Sequence, residues 1–203
     1  MTPDSVSVRH QKISRRGPDF TNIEKISINK VKVLFGHNRL SIVDLSENGN
    51  QPMYSASKQS IITFNGEIYN HLELKEILKE NYSFQTNSDT EVLLAAYITW
   101  GDKCLNKIIG MYSFVISSDY NDEIFCARDI TGQKPLFYSF ENQKLVISSI
   151  PIRFDQKKNI SKEAIADFLI NGYLTNNKSI LDKVFSLDPG HSLSIKNNVL
   201  KKS

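Results

Sequence analysis

Four runs of β-type residues crowd between Met111 and Ser149: Met111-Tyr-Ser-Phe-Val-Ile-Ser, Glu123-Ile-Phe-Cys-Ala-Arg, Leu136-Phe-Tyr-Ser-Phe and Leu145-Val-Ile-Ser. Only short clusters of Asp, Asn, Gly and Gln separate them, so they read as a β-meander. Upstream, residues 26–35 alternate apolar and polar as a half-buried strand does, and Ser60 to Phe64 is a further run that stops at Asn65-Gly66, a dipeptide that reads as a sharp turn. Helices lie between these blocks. Asn70 followed by Glu73 reads as an N-cap with an acidic third position, with Leu74, Ile77 and Leu78 on one stripe of a helix over 71–80. Ser88-Asp89-Thr90-Glu91 repeats the pattern ahead of Val92 to Tyr97, apolar nearly all round and therefore buried, with Gly101 as its stop. Ser161 caps a third helix bearing Ile165, Phe168 and Leu169 on one face, and Asp188-Pro189-Gly190 followed by Ser192 to Ile195 reads as a closing turn and strand. Strand blocks with helices between them, never in strict βαβ alternation, predict an α+β layered domain.

A chain of 203 residues, 40% hydrophobic and 23% charged, is long enough for one ample domain and is neither disordered nor fibrous in composition. No apolar run approaches the length of a membrane span, and Met1-Thr2-Pro3-Asp4 lacks a signal core, which predicts a cytoplasmic protein. The net charge is only +3, and the basic pairs Arg15-Arg16, Lys157-Lys158 and Lys201-Lys202 are scattered, so no nucleic-acid partner is expected. Cys104 and Cys126 read as reduced, buried packing residues. His10, His37, His71 and His191 are far apart and predict no metal site. None of the nine glycines forms Gly-x-Gly, a phosphate loop or a hydrolase serine elbow.

Several longer strings carry more information. They are Arg16-Gly17-Pro18-Asp19, Gly36-His37-Asn38-Arg39-Leu40-Ser41-Ile42-Val43-Asp44, Phe64-Asn65-Gly66-Glu67-Ile68-Tyr69-Asn70 and Asn87-Ser88-Asp89-Thr90-Glu91. Gly110-Met111-Tyr112-Ser113-Phe114, the segment from Ala127 to Tyr138 and Asp188-Pro189-Gly190-His191 continue the series. In that order they resemble the glutaminase (type 2 glutamine amidotransferase) domain of glutamine-hydrolysing asparagine synthetases, from about Ser14 to about Leu193.

The resemblance implies an N-terminal-nucleophile hydrolase-like αββα sandwich spanning 1–203 as a single domain. Its substrate and partner would be glutamine, hydrolysed to glutamate so that ammonia passes to a synthetase domain or subunit. No cofactor is expected here, since ATP and Mg would belong to that synthetase domain. An amide carbonyl under attack needs donors aimed at its developing oxyanion, and Asn65 and Gly66 match the family positions for them. Free glutamine also carries an α-carboxylate and an α-ammonium, for which Arg39 and Asp89, with Glu67 beside them, match the binding positions. Taken singly, each residue has a plainer reading: Asn65-Gly66 as a turn, Asp89 as a first-turn helix acid, Arg39 as an ion-paired side chain. Arg128-Asp129 reads as a scaffold pair and Arg16 to Asp19 as a rigid turn that braces the pocket. Only their joint occurrence in the family's strings favours the site.

The family's nucleophile is an N-terminal Cys whose own α-amine acts as base for its thiol. The chain begins Met1-Thr2-Pro3-Asp4, so the expectation is a domain truncated at both ends, without that Cys, its first strand or the synthetase half, and without glutaminase activity. Thr2 is a minor candidate for a hydroxyl nucleophile. The alternatives are a non-catalytic glutamine-binding or protein-interaction module, or an amidotransferase fragment serving another acceptor.

Overall fold

The computed structural model describes residues 17–28, 31–40, 46–119, 122–153, 159–175, 177–197 and 199–203. Thr2, Arg16, the basic pairs Arg15-Arg16 and Lys157-Lys158, and Ser41 to Asp44 lie outside them. The chain divides into two compact units, the first of residues 1–110 and 116–124, the second of residues 111–115 and 125–203. Among the described residues no helix is long and apolar enough to cross a membrane.

The first unit opens with a hairpin. β1 (Phe20–Ile28) pairs antiparallel with β2 (Val31–Arg39), from Ile28 opposite Val31 to Phe20 opposite Arg39. The single strand expected over 26–35 is therefore two strands. The apolar alternation in fact changes phase at the reversal, from Ile26 and Ile28 to Val31, Val33 and Phe35, a slip that one continuous strand over 26–35 would not show. β3 (Met53–Tyr54) pairs with β4 (Ser60–Ile68), Met53 opposite Ile62. β4 does not end at Asn65-Gly66, as the dipeptide predicts, but runs straight through it to Ile68, with Gly66 at φ +154°. Side chains from outside the strand hold its backbone there, an influence that local turn chemistry does not carry.

α1 (His71–Leu78) buries Leu74 and Leu78, but Ile77 of the expected stripe is exposed. Asn70 does not cap it. Its side chain turns away to accept from the Ile109 N–H and to donate to the Lys107 carbonyl. α2 (Asp89–Trp100) is buried from Asp89 to Tyr97, as its all-round apolarity predicts, and stops at Gly101 with φ +61°. Ser88 caps it by accepting from the Thr90 N–H. Glu91 does not close the capping box; it accepts from the backbone N–H groups of Gln85 and Thr86 and from the Thr86 hydroxyl.

In the second unit the expected meander is broken. β6 (Glu123–Arg128) neighbours β5 (Gly110–Ser118) on one side and β10 (Ser192–Lys196) on the other. β7 (Phe137–Glu141) instead pairs with β8 (Lys144–Ser148) and β9 (Phe185–Ser186), while β11 (Val199–Lys202) pairs with β10. The loop between β6 and β7 makes the separation. The Asp129 carboxylate accepts from the N–H groups of Thr131, Gln133, Lys134 and Tyr112, and the Arg128 guanidinium donates to the carbonyls of Gly132, Lys134 and Leu187. Arg128 and Asp129 are thus scaffold residues, as expected. Cys126, Leu136, Leu187 and Leu193 form a buried cluster beneath. α3 (Lys162–Asn171) is capped by Ser161, which accepts from the Ala164 N–H, and ends at Gly172 in the left-handed region. Its Ile165, Phe168 and Leu169, the face read from the sequence, are exposed, and Ala164 is the buried residue of the helix.

Candidate functional site

Asn65, Gly66 and Glu67 are consecutive on β4, and the strand brings them to the start of α2. The tie is direct: the Asp89 carboxylate Oδ2 accepts from the Ile68 N–H at 3.0 Å, one residue beyond Glu67. Asp89 sits in the first turn of α2, as the plainer reading of a helix-start acid has it. Only 5% of it is exposed, and burial lifts its pKa above the ordinary carboxylate value. The Ile68 and Thr90 N–H groups and His71 partly offset that rise, whereas the neighbouring Glu67 charge adds to it.

The Asn65 side chain is the anomaly. Its Nδ2 is buried, and among the described residues it has no hydrogen-bond partner. A buried donor left unsatisfied costs about 1–3 kcal/mol, so such a group calls for an explanation. Gly66 beside it lies at a backbone angle that residues with a Cβ avoid, and its backbone can approach a bound group closely.

Arg39 closes β2 and is 8% exposed. Its Nη1 donates to the Ser46 carbonyl at 2.7 Å and to Asn50 Oδ1 at 2.8 Å, which fixes the guanidinium plane. The segment from Gly17 to Asp19 lies against this strand end. A Cβ on Gly17 would stand 2.2 Å from the Asn38 carbonyl oxygen, and the Asp19 N–H donates to the Arg39 carbonyl. Arg39 joins the β4 residues through neighbours: Asn50 precedes Gln51, and Gln51 Oε1 accepts from the Phe64 N–H at 2.6 Å.

Two further residues of this arrangement escape sequence reasoning. Gln51 is one glutamine in a loop and carries no pattern; only the β3–β4 register reveals it, since continuing the pairing from Met53 opposite Ile62 sets residue 51 opposite residue 64. Gly110 packs beneath the site strand, where a Cβ would stand 2.2 Å from the Glu67 carbonyl oxygen. The conspicuous Gly110-Met111 string was its signal.

Neither thiol matches a nucleophile. Cys104 and Cys126 are fully buried, and burial pushes both thiols up to about 12, so their thiolates are scarce at neutral pH. Their expected role as packing residues is what the structure shows.

The family described as a glutamine amidotransferase domain matches residues 2–203. A putative glutamine-hydrolysing asparagine synthetase 2 of Methanocaldococcus jannaschii is 33% identical over 210 residues, covering 94% of this chain and 40% of that protein. The glutamine-hydrolysing asparagine synthetase 3 of Bacillus subtilis is 34% identical over 191 residues, covering 90% of this chain and 30% of its own length. The chain therefore spans less than half the length of these relatives. Among solved structures, the glutamine phosphoribosylpyrophosphate amidotransferase of B. subtilis superposes with a TM-score of 0.55 at 23% identity, over 83% of this chain and 34% of that one. That likeness is one of fold, the α+β N-terminal-nucleophile hydrolase-like sandwich.

Proposed function

The chain belongs to the glutamine amidotransferase domain family, and from that membership we propose that residues 1–203 form one domain that captures free glutamine and polarises its side-chain amide for hydrolysis to glutamate and ammonia. One observation carries the reading: the buried Asn65 Nδ2, without a hydrogen-bond partner among the described residues, held beside Gly66 on a strand to which Asp89 is bonded. A donor kept dry and unused stabilises little in the free protein, but it meets an oxyanion without having to break another bond first. In this reading Asn65 Nδ2 and the Gly66 N–H receive the amide oxygen as it gains charge. Arg39 takes the α-carboxylate, and Asp89 with Glu67 takes the α-ammonium.

These groups bind and polarise. The covalent step requires a nucleophile other than the two buried thiols. No metal or cofactor is needed for amide attack of this kind. The ammonia would pass to an acceptor-activating synthetase domain or subunit, where ATP and Mg would act, and asparagine is the product suggested by the names of the relatives.

Calorimetric titration of the folded protein with glutamine, alongside a coupled assay for ammonia, tests the reading. Glutamine binding that weakens in Asn65→Ala and Asp89→Asn is the expected result. A folded protein that binds no glutamine overturns it. The buried thiols also favour a second reading, a glutamine-binding module without hydrolysis, and binding with no ammonia release is the outcome that selects it.

A further inference from the structure

Both ends of the Gln51 carboxamide are occupied, and both partners are neighbours of site residues. Oε1 accepts from the backbone N–H of Phe64, which precedes Asn65, and Nε2 donates at 3.2 Å to the hydroxyl of Thr90, which follows Asp89. Gln51, Thr90 and Phe64 are all buried, so these bonds form away from solvent competition. At the other end of the same tripeptide, the Ile68 N–H donates to Asp89. The segment Asn65-Gly66-Glu67 is thus bracketed by two backbone N–H groups, at residues 64 and 68, each taken by a side chain. Both brackets lead back to the first turn of α2, one through Asp89 and the other through Thr90.

The bracket exists because β3 is too short to finish the ladder. Only Met53 and Tyr54 pair with β4, and opposite Phe64 the Gln51 carboxamide supplies the acceptor that a strand backbone would otherwise provide. We propose that Gln51 is a positioning residue for the glutamine site, locking the oxyanion donor Asn65 and the ammonium-binding Asp89 into one geometry; the inference rests on the functional reading above. Without the clamp, β4 gains slack at Phe64. The unsatisfied Asn65 amide then has both the reason and the freedom to rotate onto a nearby acceptor, and a misplacement of about 1 Å in such a group is enough to cost orders of magnitude in rate. Gln51 touches neither reacting atoms nor substrate; it acts through Phe64 and Thr90.

The test uses the full 203-residue chain with Gln51→Met, which keeps the length but neither bond, Gln51→Glu, which keeps the acceptor and can accept from the Thr90 hydroxyl, and Thr90→Val, which opens one arm alone. Affinities for glutamine and for norvaline, which has the same α-groups but no side-chain amide, are measured by calorimetry. The Asn65 side-chain amide resonances are followed in ¹⁵N spectra without ligand, assigned with Asn65→Asp. Gln51→Met is expected to lower the preference for glutamine over norvaline about tenfold and to split or broaden the Asn65 pair. Gln51→Glu restores both, and Thr90→Val falls between, which keeps the test alive if Gln51→Met does not fold. An equal loss of both ligands, or an unchanged preference with an unchanged Asn65 pair, overturns the proposal. If the wild-type protein binds no glutamine, the functional reading fails, and the Asn65 resonances alone then uphold or overturn the clamp.

Discussion

Asp89 carries two loads that pull against each other. Its burial favours the neutral acid, whereas the role proposed for it, opposite an ammonium group, needs the carboxylate. The consequence is a pH dependence of fixed sign. Because the folded-state pKa is raised, glutamine affinity falls as pH drops through a value above the ordinary carboxylate range, and calorimetry across the acid range should show the loss beginning before free carboxylates titrate. In Asp89→Asn the affinity is low throughout and that inflection is absent. The thiols give a second expectation at the same scale: with both pushed up to about 12 and fully buried, neither should react with a disulfide reagent in the native protein, and both should react at once in denaturant. Residue chemistry was legible where a side chain does one thing, as in these cysteines. Asp89 shows the limit, since a helix-start acid and a substrate-binding acid look the same in sequence, and the bond that ties it to β4 at Ile68 has no local signal at all.

At the scale of elements, helices were easier to read than strands because their ends are written locally. Ser88, Gly101 and Ser161 mark ends that the structure keeps. Asn70 fails as a cap because tertiary contacts at Lys107 and Ile109 claim its amide, and β4 runs through Asn65-Gly66 because Gln51 and Asp89 hold it from outside. Gly110 is the third outside support. Adding a methyl there sets a Cβ 2.2 Å from the Glu67 carbonyl oxygen and 3.0 Å from the Ile68 Cα, and backbone atoms cannot swing aside as a flexible side chain can. Gly110→Ala is therefore expected to cost roughly 1–3 kcal/mol in denaturant unfolding, the range for overpacking, and to weaken glutamine binding by shifting β4. Gly101→Ala makes the contrast. Nothing lies within 4 Å of that position, and its strain comes only from φ +61°, so a loss of about 1 kcal/mol with unchanged glutamine affinity is expected. Equal effects of the two changes on binding would remove Gly110 from the support of the site.

For the molecule as a whole, the α+β class and the family strings were legible from end to end, but the division into two units was not, because strands β5 and β6 each contribute to both. That division separates two buried aspartates with opposite electrostatics. Asp89, in the first unit, has its pKa raised chiefly by burial. For Asp129, in the second, burial also pushes upward, but the N–H groups of Gln133 and Lys134, the Thr131 hydroxyl and the Tyr112 N–H outweigh it and hold the pKa below the ordinary value. A raised folded-state pKa means that the ionised group costs stability, a cost relieved as pH falls through that raised value. A depressed one means the reverse: stability present above the unfolded value of about 3.9 and lost as pH falls below it toward the folded value. On acidification Asp89 therefore protonates first, easing the first unit, and Asp129 protonates later, releasing the 131–134 loop. Hydrogen exchange from about pH 6 to about pH 3, corrected for intrinsic rates, should show the amides of residues 131–134 and 112 losing protection while those of α2 keep theirs. In Asp129→Asn the second-unit loop should exchange fast already at neutral pH, because the amide offers one acceptor oxygen to donors that now share two. Loss of protection in α2 ahead of the loop would show that the Asp129 network does not set the acid limit of this fold.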